Sequence, residues 1–421
     1  MSSSDAAPRR IVVGVGGGIA AYKVCSVIRH FTEQGHDVHV VPTEAALEFV
    51  GAATFEALSG NTVHTGVFTD VPQVPHVRIG QDADLVVVAP ATADLMARAA
   101  HGMADDLLTA TLLTARCPVV FVPAMHTEMW EHAATTANVA TLRSRGGIVV
   151  EPASGRLTGS DSGAGRLPDP VEISALADLV LERGDAIVRD LEGVRMVVTA
   201  GGTREPLDPV RFLSNRSSGK QGYALARLAA QRGADVTLIA GSSVGLADPP
   251  AVAVQKIGTA LELDAAVGEA AADADVVVMA AAVADFRPAT RAEAKIKKGS
   301  AGEPDSVPLT RNPDILHGLV GRRRDGGLPS TRVIVGFAAE TGDADGDVLH
   351  YARAKLARKG CELLVVNAVG ENRAFETDSN DGWLLGADGT ETPIEHGSKS
   401  LMSSRILDAV TALLGDGHCT G

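Results

Sequence analysis

Two α/β domains, each a doubly wound and mostly parallel sheet, are what this sequence predicts, and three observations carry that expectation. Short apolar runs rich in Val, Ile and Ala end in Gly, Pro or Thr, as strands buried on both faces do. Ala-rich stretches of helical period separate them. The pattern starts afresh near Leu191, and 421 residues with 45% hydrophobic content exceed one ordinary core of about 150 to 200 residues. The expected domains are residues 1–190 and 191–421.

In the first part the strands read RIVVGVG from Arg10, HDVHVVP from His36, DLVVVAP from Asp84, PVVFVPA from Pro118 and GIVVEP from Gly147. The stretch DLVLERGDAIVRDLEGVR, from Asp178 to Arg195, reads as the helix that closes this part. Strands resume with MVVTAGG from Met196, ADVTLIAG from Ala234, ADVVVMAAAVAD from Ala274, RVIVGFAAET from Arg332 and CELLVVNAV from Cys361. Two segments break the rhythm: Glu151 to Pro170 is rich in Gly, Ser and Pro, and Asp285 to Asn312 carries many charges and few apolar residues. Loops this long are either active-site flaps or plain surface loops, and both readings stay open. No solenoid repeat is present.

A formal net charge of −14 argues against nucleic acid as a partner, because a polyanion calls for a positive field. Cys25, Cys117, Cys361 and Cys419 show no C-x-x-C spacing, which fits a reducing compartment and no zinc site. The start, MSSSDAAPRR, lacks an apolar signal region, and no stretch approaches the ~20 apolar residues of a membrane span. A cytoplasmic protein without membrane contact is expected.

Gly16-Gly17-Gly18-Ile19-Ala20-Ala21 follows a strand and precedes a helix with the spacing G-x-G-x-x-G/A, where backbone amides and a helix N-terminus meet a phosphate. A dinucleotide site would place an acidic residue at the end of the second strand, whereas Pro42-Thr43 stands there. A hydroxyl suits a monophosphate better than a ribose diol, which disfavours an NAD-dependent oxidoreductase. Thr92 follows a later strand, either as a ligand contact or as a simple helix cap.

The segments GGGIAAYK, TEAA, APATADLMARAAHGMADDL and PAMHTEMW together resemble the flavin-dependent cysteine decarboxylase family. The resemblance implies an FMN phosphate near Gly17, Gly18, Ile19 and Thr43, with flavin contacts at Ala91, Thr92 and Ala93, in a site between subunits of a trimer. His76 matches the family's catalytic histidine, and Met125, His126, Met129 and Trp130 match its substrate motif P-x-M-N-x-x-M-W, with His126 in the asparagine's place. An imidazole can still donate a hydrogen bond to a carboxylate. In the family a flap cysteine protonates the product, but SGRLTGSDSGAGRLPDP has none. Thr158 is the nearest candidate, with Ser160 and Ser162 close by; water, another group or a neighbouring subunit are the alternatives.

Ser214 to Gln221 departs from a P-loop at both ends, with Ser in the first glycine's place and Gln221 in the hydroxyl's. Gly219 can still open a helix whose N-terminus favours an anion. Arg287, Arg291, Lys295, Lys297 and Lys298 cluster downstream, and Lys355 and Lys359 share a helical face. Such clusters either neutralise a polyphosphate or form a solvated face.

From about Arg195 onward, TAGGTREPLDPVRFLSNRSSGKQG, AAAVADFRP, KIKK, RNPDIL, VGFAAET and KLARKG resemble, in order, the bacterial phosphopantothenate–cysteine ligase domain. The resemblance implies that CTP with Mg2+ or Mn2+ activates 4′-phosphopantothenate as an acyl-cytidylate, from which cysteine displaces CMP. It implies catalytic roles for Asn215 and Lys295, and CTP contacts at Met279, Ala280, Ala281, Asp285, Lys295, Pro313, Asp314, Ile315, Leu316, Phe337, Lys355 and Lys359. The metal's ligands in the protein are left unassigned.

The fusion resembles the bifunctional phosphopantothenoylcysteine decarboxylases and phosphopantothenate–cysteine ligases of coenzyme A biosynthesis. That implies small-molecule partners and a homo-oligomer, a dodecamer built from trimers of the flavin domain and dimers of the ligase domain. A ligase whose N-terminal half only holds flavin is the alternative.

Overall fold

The computed structural model describes residues 7–64, 75–156, 162–243, 245–297, 306–340, 347–368 and 379–416. It divides into two compact units, Met1–Val188 and Arg189–Gly421.

In the first unit β1 (Arg10–Val15), β2 (Asp37–Pro42), β3 (Leu85–Ala91), β4 (Val119–Pro123) and β5 (Ile148–Val149) form one parallel sheet in the order β2-β1-β3-β4-β5. All five expected strands are present. Val13 lies opposite both Val40 and Val87, and Val12, Val13, Val86 and Val87 are fully buried, as a sheet covered on both faces requires. The helices are α1 (Ala21–Glu33), α2 (Glu44–Leu47), α3 (Ala52–Ser59), α4 (Pro75–Asp82), α5 (Ala93–His101), α6 (Leu107–Thr114), α7 (Thr127–Trp130), α8 (Ala133–Ser144) and α9 (Pro170–Glu182). Along α1, Ala21, Val24, Val27, Ile28 and Phe31 fall three or four apart and are buried, so one apolar stripe fixes the helix to the sheet.

The closing helix differs from the expectation. α9 starts behind Asp169, whose carboxylate accepts the Val171 amide, and it ends at Glu182, so residues 183–195 are not helical. Arg183 leaves helical geometry at φ −147°, and Gly184 and Gly193 lower the helix propensity of the residues beyond it. The Gly/Ser/Pro-rich segment is not wholly irregular either: β6 (Ala153–Arg156) pairs antiparallel with β7 (Ser162–Arg166).

The second unit runs β8 (Arg195–Ala200), β9 (Arg204–Pro206), β10 (Phe212–Ser214), α10 (Lys220–Gln231), β11 (Asp235–Ala240), β12 (Val252–Lys256), α11 (Ala260–Ala270), β13 (Val276–Met279), β14 (Phe286–Pro288), β15 (Leu309–Arg311), α12 (Ile315–Arg324), β16 (Val333–Glu340), α13 (Val348–Lys359), β17 (Leu363–Ala368), β18 (Ser379–Gly386), β19 (Glu391–Ser398) and α14 (Lys399–Asp416). Its sheet has the order β12-β11-β8-β13-β16-β17-β18-β19, parallel through β17 and antiparallel beyond it. Gly222 allows α10 to lie against β8, because a Cβ there would stand 2.5 Å from that of Ala200. The charged segment folds in part as an antiparallel pair, β14 with β15.

Both reversals in strand order matter for function. Counting the parallel strands of each sheet in chain order gives 2-1-3-4-5 in the first unit and 3-2-1-4-5-6 in the second. In open sheets of this kind ligands collect beyond the strand carboxyl ends where the order reverses. These places are between β1 and β3, and between β8 and β13.

Candidate functional site

At the first reversal the chain leaves β1 through Gly16, Gly17 and Gly18. The Gly16 amide donates to the Pro90 carbonyl at 3.1 Å, drawing the turn onto the end of β3, and a Cβ on Gly16 would meet that oxygen at 2.4 Å. Among the described residues the amides of Gly17, Gly18 and Ile19 have no hydrogen-bond acceptor, and Ala20 gives α1 no side-chain cap. A helix N-terminus left in this state is suited to an anion. Thr43, buried at the end of β2, accepts the Ala46 amide at 3.2 Å, and its hydroxyl proton is available to a ligand. Thr92 caps α5 by accepting the Leu95 amide at 3.2 Å.

These groups line one cleft of about 1260 Å³ with Met125, His126, Met129 and the β7 residues Gly165 and Arg166. Its size exceeds the usual ~300–1,000 Å³ of a small-molecule pocket, which leaves room for a second ligand beside the first. His126 stands at the start of α7, its ring not used as a cap. β7 packs directly on this turn: the Met125 amide donates to the Gly165 carbonyl at 2.8 Å, and a Cβ on Gly165 would meet the Met125 carbonyl at 2.4 Å.

Charge in the cleft comes in two groups. Arg98, with its side chain 17% exposed, bonds Asp94 at 3.1 Å, Asp105 at 3.2 Å and Asp106 at 2.6 Å. Burial opposes the ionised Asp106 carboxyl, but the Thr109 amide and Arg98 outweigh it and hold it below the usual carboxylate range. Lys23 is the other group: burial and then the neighbouring Arg166 charge push its ammonium down. Lys23, Arg98 and Arg166 line the cleft with Glu44, Asp94, Asp105 and Asp106, and since Arg98 is engaged by three of those carboxylates, Lys23 and Arg166 are the cations that favour a phosphorylated ligand.

At the second reversal Gly201 and Gly202 leave β8, and Gly202 bridges to both Ser242 and Ala282. Gly201 needs its positive φ of 78°, and a Cβ there would stand 2.6 Å from the Ser242 carbonyl. Thr199 accepts the Ala281 amide and Thr203 the Ala284 amide, each at 3.0 Å, which fixes the loop from Met279 to Asp285. Asn215 Nδ2 donates to the Val283 carbonyl at 2.8 Å, so it stands beside that loop. Asp285 is exposed, while Met279 and Ile315 are buried in the core and Leu316 packs against it. Phe337, half-buried on β16, follows Gly336, whose Cβ would lie 2.7 Å from Leu316 Cδ2. Asp314 caps α12, accepting the His317 amide, and its other oxygen pairs with Lys359. Burial pushes the Asp314 carboxyl up, but Lys359 and the His317 amide together hold it below the usual carboxylate range.

A family model described as Flavoprotein matches residues 1–182, and one described as DNA/pantothenate metabolism flavoprotein C-terminal domain matches residues 191–414. The coenzyme A biosynthesis bifunctional protein CoaBC of Mycolicibacterium smegmatis is 72% identical over 408 residues, spanning 97% of this chain and 98% of its own. This chain belongs to the CoaBC family. Its similarity to the CoaBC protein of Escherichia coli K12 is 40% over 409 residues, spanning 96% of this chain and 97% of that one. Among solved structures, the C-terminal domain of a CoaBC protein is 32% identical with a TM-score of 0.44, covering 54% of this chain and 99% of that one. A PPC decarboxylase mutant complexed with pantothenoylaminoethenethiol is 27% identical with a TM-score of 0.39, covering 42% and 100%.

In this CoaBC family member the cleft unites Gly17, Gly18, Ile19, Thr43, Thr92 and Ala93 with Met125, His126 and Met129. It does not include three others. Ala91 is fully buried at the end of β3, Trp130 packs on the hydrophobic core, and His76 lies on α4, where its carbonyl accepts Thr114 Oγ1 at 2.8 Å. His76 Nδ1 is buried without a hydrogen-bond partner among the described residues. Thr158 and Ser160 lie outside the described residues, as does Lys298; Ser162 opens β7. Lys23, Arg98 and Arg166 are cleft residues that motif reading missed, since only the fold brings their charges to the glycine turn.

Proposed function

We propose that the two units catalyse consecutive steps: the second ligates cysteine to 4′-phosphopantothenate with CTP and Mg2+ or Mn2+, and the first decarboxylates the product to 4′-phosphopantetheine with FMN. The observation that carries this reading is the first-unit cleft, in which a glycine turn with unsatisfied amides shares one space with Met125, His126 and the β7 strand. FMN, when bound, supplies the removal and return of a hydride equivalent, so no net redox change results.

The amides of Gly17, Gly18 and Ile19 and the Thr43 hydroxyl would hold the FMN phosphate, with Thr92 and Ala93 beside the flavin. Gly18 fits that role, because a Cβ there would meet only Pro90 Cγ and Thr92 Cγ2 at 3.9 Å, leaving the glycine open on its ligand side. His126 would donate a hydrogen bond to the substrate carboxylate, and β6 with β7 would exclude water. In the second unit Asn215 would assist at the acyl-cytidylate, Asp285 and Phe337 would bind the nucleoside, and Lys295, Lys355 and Lys359 would neutralise phosphates as charge develops. The small-molecule substrates, a cytoplasmic setting and a homo-oligomer of trimers and dimers belong to the same proposal.

The test is one incubation of the full chain with 4′-phosphopantothenate, cysteine, CTP and magnesium, followed by mass spectrometry. Accumulation of 4′-phosphopantetheine supports both activities. If the mass stops at phosphopantothenoylcysteine, the first unit is a flavin-holding domain; if no CMP forms, the ligase reading fails.

A further inference from the structure

A buried carboxylate in the second unit has no part in either proposed reaction step. Asp208, 2% exposed, sits between β9 and β10 and accepts the Val210 and Arg211 amides at 2.8 Å each, with Arg211 Nε and Nη2 at 2.9 and 2.6 Å. Those bonds alone would close a local turn. A further bond comes from the Ile296 amide, 88 residues along the chain, at 3.2 Å. The same Arg211 Nη2 donates to the Ile296 carbonyl at 2.9 Å, and the Ala292 amide donates to the Leu207 carbonyl at 2.9 Å. Both polar groups of one backbone residue are therefore gripped by a charged pair.

Ile296 is half-buried, whereas Lys295 and Lys297 on either side are exposed. Arg211 and the backbone amides hold the Asp208 carboxyl far below the usual carboxylate range, so the grip stays charged throughout the neutral range. A segment fixed in advance loses less conformational freedom when it meets a ligand.

We propose that Asp208 is a positioning residue of the ligase half: through Ile296 it sets where Lys295 and Lys297 stand. Its effect on turnover rests on the ligase reading; its effect on the lysine segment does not.

The test compares the full wild-type chain with Asp208→Asn, whose amide keeps the shape and can accept backbone amides but cannot form the ion pair with Arg211. Four quantities are measured: trypsin cleavage after Lys295 and Lys297 relative to other sites, CMP formation with 4′-phosphopantothenate, cysteine and CTP, FMN content, and melting temperature. The expected result is cleavage at those lysines at least ~10-fold faster and CMP formation at least ~10-fold slower, with FMN content and melting temperature unchanged. Unchanged cleavage overturns the proposal, and so does a loss of CMP formation that tracks a lower melting temperature. If Asp208→Asn does not fold, Arg211→Gln, which removes the charged partner of Asp208 and the bond to the Ile296 carbonyl, is read in the same way. A wild-type chain that forms no CMP overturns the ligase reading, while the cleavage ratio still decides the placement of the lysines.

Discussion

At Gly17 and Gly18 one added methyl group has two different fates. On Gly17 it would lie 2.4 Å from the Ala45 Cβ and 3.0 Å from the Ala45 carbonyl carbon, so the start of α2 must shift and Gly17→Ala is expected to destabilise the first unit by about 1–3 kcal/mol. On Gly18 it meets nothing nearer than 3.9 Å, so Gly18→Ala is expected to fold normally and to bind FMN at least ~10-fold more weakly, since a methyl group there occupies ligand space. Melting curves of the apoprotein and flavin titration followed by fluorescence separate the two. Equal flavin affinity in Gly18→Ala and wild type would remove this turn from the FMN site.

Between elements, one contact makes stability depend on pH. His30 on α1 bonds Asp178 on α9 at 2.8 Å, and that hydrogen bond raises the imidazole's pKa against the opposing effect of burial, with further support from the Asp178 and Glu33 charges. A folded pKa raised above the unfolded value stabilises the fold fully below about pH 6.5, and the contribution disappears as pH rises through the folded value. Both side chains are about one-third exposed, so screening limits the gain to roughly 0.2–1 kcal/mol. His30→Gln is therefore expected to lose stability relative to wild type at pH 5.5 and to match it at pH 9 in urea unfolding. Elements of the fold were legible in the sequence to different degrees for a physical reason. Strands such as β3 and β13 are buried on both faces and read as unbroken apolar runs. β6, β7, β9, β10, β14 and β15 are two-stranded pairs of three to five residues, too short to show a period, and their pairing is decided by the tertiary structure. For β18 and β19 a signal was present: Asp388-Gly389 turns the chain, with Gly389 at φ 90° and Asp388 accepting the Thr390 amide at 2.9 Å. In the candidate site the glycine turn was legible because its chemistry is local, whereas Lys23 and Arg166 meet only through folding.

For the molecule as a whole, each unit has its own core, and each is expected to unfold in its own transition. In the second unit Arg232, 2% exposed, bonds Asp190 at 2.5 Å and Asp408 at 2.9 Å, tying the entry into β8 and the α14 helix to the end of α10. Asp190 and Asp408 are one-third exposed and regain water when their partner is removed, so Arg232→Met is expected to cost about 1.5–3 kcal/mol in that unit, chiefly the lost charge-assisted hydrogen bonds. Calorimetry beside flavin release would show the second unit's transition moving to lower temperature with FMN release unchanged; a joint shift would contradict that independence. The strands β18 and β19 have a consequence at the same scale. β17 is the last parallel strand, and its Val365 and Val366 are fully buried, shielded by β18, while α14 packs over β18 and β19 and Pro393 interrupts the outer strand's donors. A chain shortened to end after β17 would keep every residue proposed for the ligase chemistry, yet it would expose an unpaired apolar edge. Such a product, which also loses α14 and its buried Met402, Ile406, Leu407 and Val410, is expected to self-associate into aggregates instead of behaving as a smaller enzyme, which makes the final hairpin and its covering helix a guard on solubility.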